Sequence, residues 1–553
     1  MADETGIPYC RDLKKILGPH TVKSSGIIGI RSGPDENRQV NPVITGMEYD
    51  SRKVKKGNLF FALPGIHTNG AKYIGEALEK GASVIVHGED FDGLDPQSGK
   101  IPEAVYIKVK DPRYAMSAMA DSFYDHPSRH MAVIGVTGTE GKSSTVYIIY
   151  QLLKLLSYKA GFISTVMLGD GITEQWNPEH QTTPEAVTVH KFLAEMRKNA
   201  VEYAVIESSS HGLSKKTNRL GDVVFDVAVM TNVNHEHLEF HGTWEQYRSD
   251  KAELFRALDL KLHNHEKDLK NKPVKKTPIP SFGVVNSDDP SAPYFASATK
   301  HKTYSYSTLG AKADLSLQLI KSGPFGNWYE ADAWGVKLNI RDRLPGAFNA
   351  GNVLAAILTV SQILSREPNE IVPFIPYIKP VRGRMTAINR GQPFEVIVDY
   401  AHTPSSFNAI FPPLYDRIRQ SGGRIISLFG SAGERDTKKR SEQGKIAAGY
   451  SDLVILSDED PRNEDPIVIL EEISGGISNK KKEEDLFLIP DRPKAIRKAF
   501  SLAKPGDLVL LLGKGHENSI IYGDNATPYD EINEAITALA EMNFTSEENA
   551  ETG

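Results

Sequence analysis

One cysteine, Cys10, among 553 residues excludes an internal disulfide and a cysteine zinc cluster, and is the usage of a chain kept in a reducing compartment. No apolar run approaches the ~20 residues that span a bilayer, and residues 1–15, which carry Asp3, Glu4 and Asp12, hold no apolar segment of a secretory leader. Charge of one sign is also scarce. The 65 basic and 71 acidic side chains leave a formal −6 with no long basic stretch, so the electrostatic footprint of a nucleic-acid binder is missing. These absences predict a cytoplasmic protein with small-molecule partners, no nucleic acid and no membrane insertion; a monomer is the expected state.

What is present is enough apolar material, 40% of the residues, to fill the three or four domains that this length implies. No short repeat occurs, but one grammar recurs: an apolar run stops abruptly at a polar or glycine-rich cluster. Residues 131–136 run into Gly138-Thr139-Glu140-Gly141-Lys142, 203–206 into Glu207-Ser208-Ser209-Ser210-His211, 227–230 into Thr231-Asn232, and 282–285 into Asn286-Ser287-Asp288. Further on, 396–398 run into Asp399-Tyr400-Ala401-His402, 425–429 into a glycine-containing turn, 453–456 into Ser457-Asp458-Glu459-Asp460, and 508–512 into Gly513-Lys514-Gly515-His516-Glu517. Buried parallel strands read this way, and ligands of open α/β sheets sit beyond strand carboxyl ends. Two such sheets are predicted, with Leu344-Pro345-Gly346 as a hinge ahead of an apolar helix over 352–364, and a separate N-terminal unit with strands near 58–63 and 83–86. The lysine-rich residues 261–276 and the tail 546–553 read as solvated surface.

Gly138-Thr139-Glu140-Gly141-Lys142-Ser143-Ser144 follows a predicted strand and precedes a helical run over 146–156, the setting of a phosphate-binding loop. Glycines let backbone N–H groups approach phosphates, Lys142 reaches the terminal phosphates and Ser143 can ligate magnesium. Val136 stands where the general motif has its first glycine, and Glu140 places a carboxylate near the polyphosphate. Glu207, His211, His237 and His241 add candidate ligands near two strand ends, suited to magnesium shared with ATP and an acceptor carboxylate. Lys251, taken alone, reads as a helix-surface lysine.

The run Thr231-Asn232-Val233-Asn234-His235-Glu236-His237-Leu238-Glu239-Phe240-His241-Gly242 followed by Lys251 resembles the signature of the Mur ligase family, most like the branch that adds the third residue of the stem peptide. The resemblance covers nearly the whole chain and implies an α/β protein of three domains: a UDP-muramoyl substrate domain over 1–111, a central P-loop parallel-sheet ATPase domain over 112–344 and a Rossmann-like, amino-acid-binding domain over 345–553. It implies ATP and Mg2+, with an acyl-phosphate intermediate, UDP-N-acetylmuramoyl-L-alanyl-D-glutamate as one partner and a free diamino acid as the other. Catalysis would fall to Lys142, Glu207, His237 and Lys251; the metal would be held by Ser143, Glu207, His237 and Lys251, the last as N6-carboxylysine.

In the same way Asp50-Ser51-Arg52 and Gly57-Asn58-Leu59-Phe60-Phe61-Ala62-Leu63-Pro64-Gly65 resemble the family's uridine-nucleotide unit. Ser51, Thr182, Thr183, Ser209 and Arg219 are then the expected contacts to the UDP-muramoyl peptide. Leu344-Pro345-Gly346 with Asn349, Gly383-Arg384-Met385 and Asp399-Tyr400-Ala401-His402-Thr403-Pro404 resemble nucleotide-side motifs. Asn349, Arg384, Asp399 and His402 are therefore expected to join the loop residues Gly138, Thr139, Glu140, Gly141, Lys142, Ser143 and Ser144 around ATP. Gly433-Glu434-Arg435-Asp436 and Gly513-Lys514-Gly515-His516-Glu517 resemble the loops that meet the incoming amino acid, which points to Arg435, Gly513 and Glu517.

Enzymes of this branch that use meso-diaminopimelate read Asp-Asn-Pro-Arg where this chain has Glu459-Asp460-Pro461-Arg462. An amide can donate to a carboxylate, whereas ionised Asp460 only accepts and favours an ammonium; two like charges at ~4 Å cost about 4 kcal/mol at an effective dielectric of ~20. Arg462 argues the other way, since its fork suits a carboxylate. The balance favours L-ornithine or L-lysine over meso-diaminopimelate. Folate polyglutamylation on the same fold is the alternative activity, opposed by the Asp50 region and Thr182-Thr183. A nucleotide-binding protein without catalysis is the alternative from another class, motivated by Glu140 and by a longer segment before Arg219.

Overall fold

The computed structural model describes residues 9–32, 41–65, 69–88, 104–177, 179, 181–234, 238–260, 281–323 and 326–545. His237, the lysine-rich segment 261–276 and the tail 546–553 lie outside them. The chain forms two compact units, Met1–Ser316 with Gly351–Ile371, and Leu317–Ala350 with Val372–Gly553.

The first unit contains two large sheets besides the short antiparallel pair of Arg11–Asp12 and Val43–Ile44. In the smaller, the strands run in the order Ile27–Ser32, Val105–Val109, Val84–His87, Asn58–Phe61 and Gly46–Glu48, parallel apart from the first pair. The larger has a parallel core ordered Ala160–Ile163, Tyr203–Glu207, Ala132–Thr137, Val227–Met230, Phe282–Asn286 and Thr303–Ser307. Ala132–Thr137 is buried at every residue, as a strand covered by helices on both faces must be. Its Gly135 has no room for a side chain: a Cβ would meet Leu254 Cδ1 at 2.4 Å, so glycine is what lets the helix Trp244–Leu260 pack this closely. The helix Lys142–Leu155 follows the phosphate loop, one turn earlier than its apolar pattern suggests.

The second unit is built on a six-stranded sheet ordered Thr386–Ile388, Glu395–Asp399, Leu508–Leu512, Ile425–Phe429, Leu453–Leu456 and Leu486–Leu488, antiparallel only at its first pair. It also holds the antiparallel hairpin of Gly326–Ala333 and Val336–Asp342. Three of its helices begin at aspartate caps: Asp465 accepts from Ile467 N ahead of Pro466–Ser474, Asp491 from Lys494 N ahead of Arg492–Leu502, and Asp530 from Ile532 N and Asn533 N ahead of Glu531–Glu541. The last two caps fix Arg492 and Glu531 as the first residues of their helices, which matters below. Among the described residues no helix is long and apolar enough to cross a membrane.

Candidate active site

In the first unit, the ends of Ala132–Thr137, Tyr203–Glu207 and Val227–Met230 bring the expected phosphate-side residues together. The loop is held from behind by Thr139 N donating to Asn232 O at 2.8 Å, Glu140 N to Asn232 Oδ1 at 2.8 Å and Thr231 Oγ1 to Glu140 O at 2.6 Å. Gly138 (φ +152°) and Gly141 (φ +81°) are both required, since a Cβ would lie 1.8 Å from Thr231 Oγ1 at the first and 2.4 Å from Asn352 Oδ1 at the second. Lys142 folds over its own loop, Nζ donating to Thr139 O at 2.7 Å. Ser144, half-buried, lies in the same first helical turn.

Ser143 Oγ is 3.0 Å from both carboxylate oxygens of Glu207, whose Oε2 also accepts from Thr165 N at 2.8 Å. Glu207 is 1% exposed. A buried carboxylate paired with a hydroxyl at the head of a phosphate loop is a hard oxygen donor set, which fits magnesium. Among the described residues no three His, Cys, Asp or Glu side chains converge on one point. His241 is not available as a ligand: Nδ1 pairs with Asp250 Oδ2 at 2.7 Å and Nε2 with Ser210 Oγ at 3.1 Å, which makes it a buried brace between neighbouring helices. His211 stacks on Phe240 with ring centroids 4.1 Å apart.

Lys251 corrects its reading as a surface lysine. It is 1% exposed, its Nζ donates to Gly138 O, and it sits 4.5 Å from the centroid of the Tyr247 ring. Tyr247 OH in turn lies 3.0 Å from Thr139 Oγ1, so the helix Trp244–Leu260 touches the underside of the phosphate loop twice.

Thr183, Ser209 and Arg219 also meet. Thr183 Oγ1 donates to Glu207 O and lies 2.9 Å from Ser209 Oγ, and Arg219 Nη1 donates to Thr183 O at 2.9 Å. Thr182 is half-buried next to them. The Arg219 guanidinium is already answered by Glu185, at 2.9 Å, a carboxylate that Arg113 also reaches at 3.4 Å. Ser51 stands apart from this patch, its hydroxyl donating to Glu76 Oε2 at 2.6 Å.

In the second unit, Asp399 is buried and accepts from Met385 N and Ala401 N, each at 2.7 Å, while Arg384 lies over the Tyr400 ring at 4.7 Å. His402 Nδ1 pairs with Tyr400 O at 2.9 Å; burial, then Lys439, brings its pKa down to about 4, so the imidazole is neutral near pH 7. Asn349 donates from Nδ2 to Pro345 O at 2.8 Å.

The expected amino-acid residues form a buried charged cluster. Lys514, 0% exposed, donates to Asp460 Oδ1 at 2.9 Å and to Glu517 Oε2 at 2.5 Å; Asp460 Oδ1 also accepts from Ile521 N at 2.9 Å. Tyr400 OH donates to Glu517 Oε1 at 3.3 Å. Asp460 therefore does not present the free negative charge expected of it, because a buried lysine neutralises it. Glu459, 6% exposed, carries a carboxylate oxygen without a hydrogen bond among the described residues, its buried Oε2, and that atom lies 2.9 Å from where a Cβ on Gly513 (φ +99°) would sit. Arg462 (φ +56°) donates its N–H to Ile521 O, and its buried Nε has no partner among the described residues. Arg435 is exposed and stands outside the cluster's hydrogen bonds. Lys514 and Tyr400 were not singled out from sequence, although Lys514 and Glu517 have the i, i+3 spacing of an ion pair.

The first unit thus sets a glycine-rich loop at the head of a parallel sheet against a buried carboxylate and a buried lysine, and the second unit carries a buried cluster of Glu459, Asp460, Lys514 and Glu517. Residues 43–124 match the catalytic domain of the Mur ligase family, 136–360 the Mur ligase middle domain, and 383–515 the Mur ligase glutamate ligase domain. The chain is 52% identical over 511 residues to the UDP-N-acetylmuramyl-tripeptide synthetase of Treponema denticola, covering 88% of this chain and 92% of that one, and 48% identical over 516 residues to the protein of the same name in Treponema pallidum, covering 88% and 92%. A solved structure of a UDP-N-acetylmuramoyl-L-alanyl-D-glutamate--2,6-diaminopimelate ligase is 25% identical, with a TM-score of 0.57 over 91% of this chain and 96% of that one. The chain belongs to the Mur ligase family.

Proposed function

We propose that the chain joins a diamino acid to UDP-N-acetylmuramoyl-L-alanyl-D-glutamate in an ATP-dependent, ADP-forming step of peptidoglycan precursor synthesis in the cytoplasm, acting as a monomer. The working domains are 1–111, 112–344 and 345–553; three separate family matches, over 43–124, 136–360 and 383–515, support the number of parts and not these bounds. The observation that carries the reading is the joint placement of Ser143, Glu207 and Lys251 against one phosphate loop.

The peptide carboxylate attacks the γ-phosphorus of ATP, ADP leaves, and the α-amine of the diamino acid displaces phosphate from the acyl carbon. Lys142 and the loop N–H groups hold the transferring phosphate. Thr183, Ser209 and Arg219 orient the UDP-linked peptide, with Ser51 supporting its uridine end. Glu207 and Ser143, with Lys251 as a carbamate and His237, would hold magnesium, which when bound neutralises charge on the phosphates. Asn349, Arg384, Asp399 and His402, all in the second unit, are the further ATP residues of this reading.

In the second unit Glu459, Glu517 and Gly513 surround the side-chain ammonium, with Arg462 and Arg435 around the α-carboxylate end. Asp460 with Lys514 fixes their spacing. The reading favours L-ornithine or L-lysine over meso-diaminopimelate, supported by the buried Glu459 oxygen that lacks a hydrogen bond among the described residues. ADP release with UDP-N-acetylmuramoyl-L-alanyl-D-glutamate and magnesium, adding each diamino acid separately, tests this: release with one of them is expected, and release with none, or with a folate and glutamate instead, overturns it.

Burial pushes the Glu459 and Glu517 carboxyls above the ordinary range; Lys439, Lys514 and Arg492 pull Glu459 back, Lys514 pulls Glu517 back, and neighbouring carboxylates push both up. An ammonium binds only their ionised forms. As pH falls through these raised pKa values, kcat/KM for the diamino acid is therefore expected to drop at a higher pH than an exposed glutamate, near 4.3, would set. A pH profile of kcat/KM checks it.

A further inference from the structure

The two loops of the amino-acid pocket are joined by a residue that belongs to neither. Arg492 is the first residue of the helix Arg492–Leu502 and is 0% exposed. Its Nη1 donates to Asp458 O at 3.0 Å and its Nη2 to Leu512 O at 2.7 Å. Those carbonyls immediately precede Glu459-Asp460 on one loop and Gly513-Lys514 on the other. The remaining face of the guanidinium is held by Glu531, also 0% exposed, through Nε at 2.8 Å and Nη2 at 2.6 Å, and Tyr529 OH donates to the same carboxylate. Asp458 N and Ser457 Oγ both donate to Pro490 O, tying the first loop to the segment that leads into the helix.

A cation at a helix N-terminus opposes the helix dipole, and a buried ion pair contributes little net stability over well-packed apolar residues of the same size. Neither consideration favours an arginine here on stability alone. Its planar fork does supply something an apolar side chain cannot, a fixed spacing between two carbonyls on separate strand ends. We propose that Arg492, oriented by Glu531, is a positioning residue that sets the distance between Glu459-Asp460 and Gly513-Glu517, and so the affinity and side-chain selectivity for the diamino acid. The proposal rests on the assignment of that pocket to the diamino acid.

The test is steady-state ADP release by the full chain carrying Arg492→Met, Arg492→Lys or Glu531→Gln, with Glu517→Gln as the probe of the pocket itself and thermal melting as the control for folding. The expected result is a rise of tenfold or more in KM for the diamino acid in Arg492→Met and Glu531→Gln, partial recovery in Arg492→Lys, narrowed discrimination among L-ornithine, L-lysine and meso-diaminopimelate, and KM for ATP within twofold of wild type. If Arg492→Met does not fold, Glu531→Gln, which keeps the size of the side chain, carries the test. An unchanged diamino-acid KM beside a raised one in Glu517→Gln overturns the positioning role and leaves the pocket standing; an unchanged KM in Glu517→Gln overturns both. Joint loss of affinity for ATP and diamino acid with a lowered melting temperature would mean general loosening and also overturns it.

Discussion

Replacing Lys251 by arginine lowers kcat for ADP release by on the order of 10³-fold, the scale of losing one preorganised charge-stabilising group at a reacting phosphate, with little change in melting temperature. The expectation comes from the surroundings of the ammonium group. Nζ is buried beneath the phosphate loop against a backbone carbonyl and the face of Tyr247. In its neutral form the amine can add CO2, releasing a proton and becoming an anionic carbamate able to face a metal, whereas a guanidinium stays cationic and cannot. Arginine keeps the positive charge and most of the stem, so a role limited to charge or packing would survive the change within about tenfold. Stripping dissolved CO2 should depress the wild-type rate and leave the residual rate of Lys251→Arg untouched; equal sensitivity of both, or none, would remove the carbamate from the reaction.

That lysine also shows where sequence reasoning reached and where it stopped. The eight strands that end in chemistry were legible because each is a short run buried on both faces, such as Leu508–Leu512, cut off at a polar cluster. The hairpin of Gly326–Ala333 and Val336–Asp342 was missed: its alternate residues are buried, but polar Asn327 stands at a buried position and Trp328 at a half-exposed one, which breaks the alternation. Lys251 had a usable signal, standing four residues from both Tyr247 and Phe255, which are 0% exposed, and therefore on the buried stripe of its helix. The pairing of Asp460 with Lys514 had none, because 54 residues separate them and only the adjacency of the sheet strands and their loops brings them together. Read without its partner, Asp460 was given a free charge, which Lys514 answers in the fold.

Lys514→Met is expected to be the more damaging change within the second unit, and Asp460→Asn a mild one. Removing the buried ammonium leaves Asp460 and Glu517 facing each other with their charge uncompensated, a loss of about 3–5 kcal/mol for breaking one side of a buried pair. Hydrogen exchange along Leu508–Leu512 reports it as earlier opening of that strand. Adding Asp460→Asn to Lys514→Met removes one of the two stranded charges and should recover part of the loss, a coupling that a double-mutant cycle isolates. For substrate choice the sign is instructive. Were Asp460 a free charge beside the ligand, repulsion of about 4 kcal/mol would make Asp460→Asn shift the preference toward meso-diaminopimelate by nearly 10³-fold. Because Lys514 lies 2.9 Å from that carboxylate, the pair acts on a ligand as a compact dipole, and the shift should stay below about tenfold. Ratios of kcat/KM for L-lysine and meso-diaminopimelate in Asp460→Asn decide between the two, and a shift of several hundredfold would restore Asp460 as the direct selector.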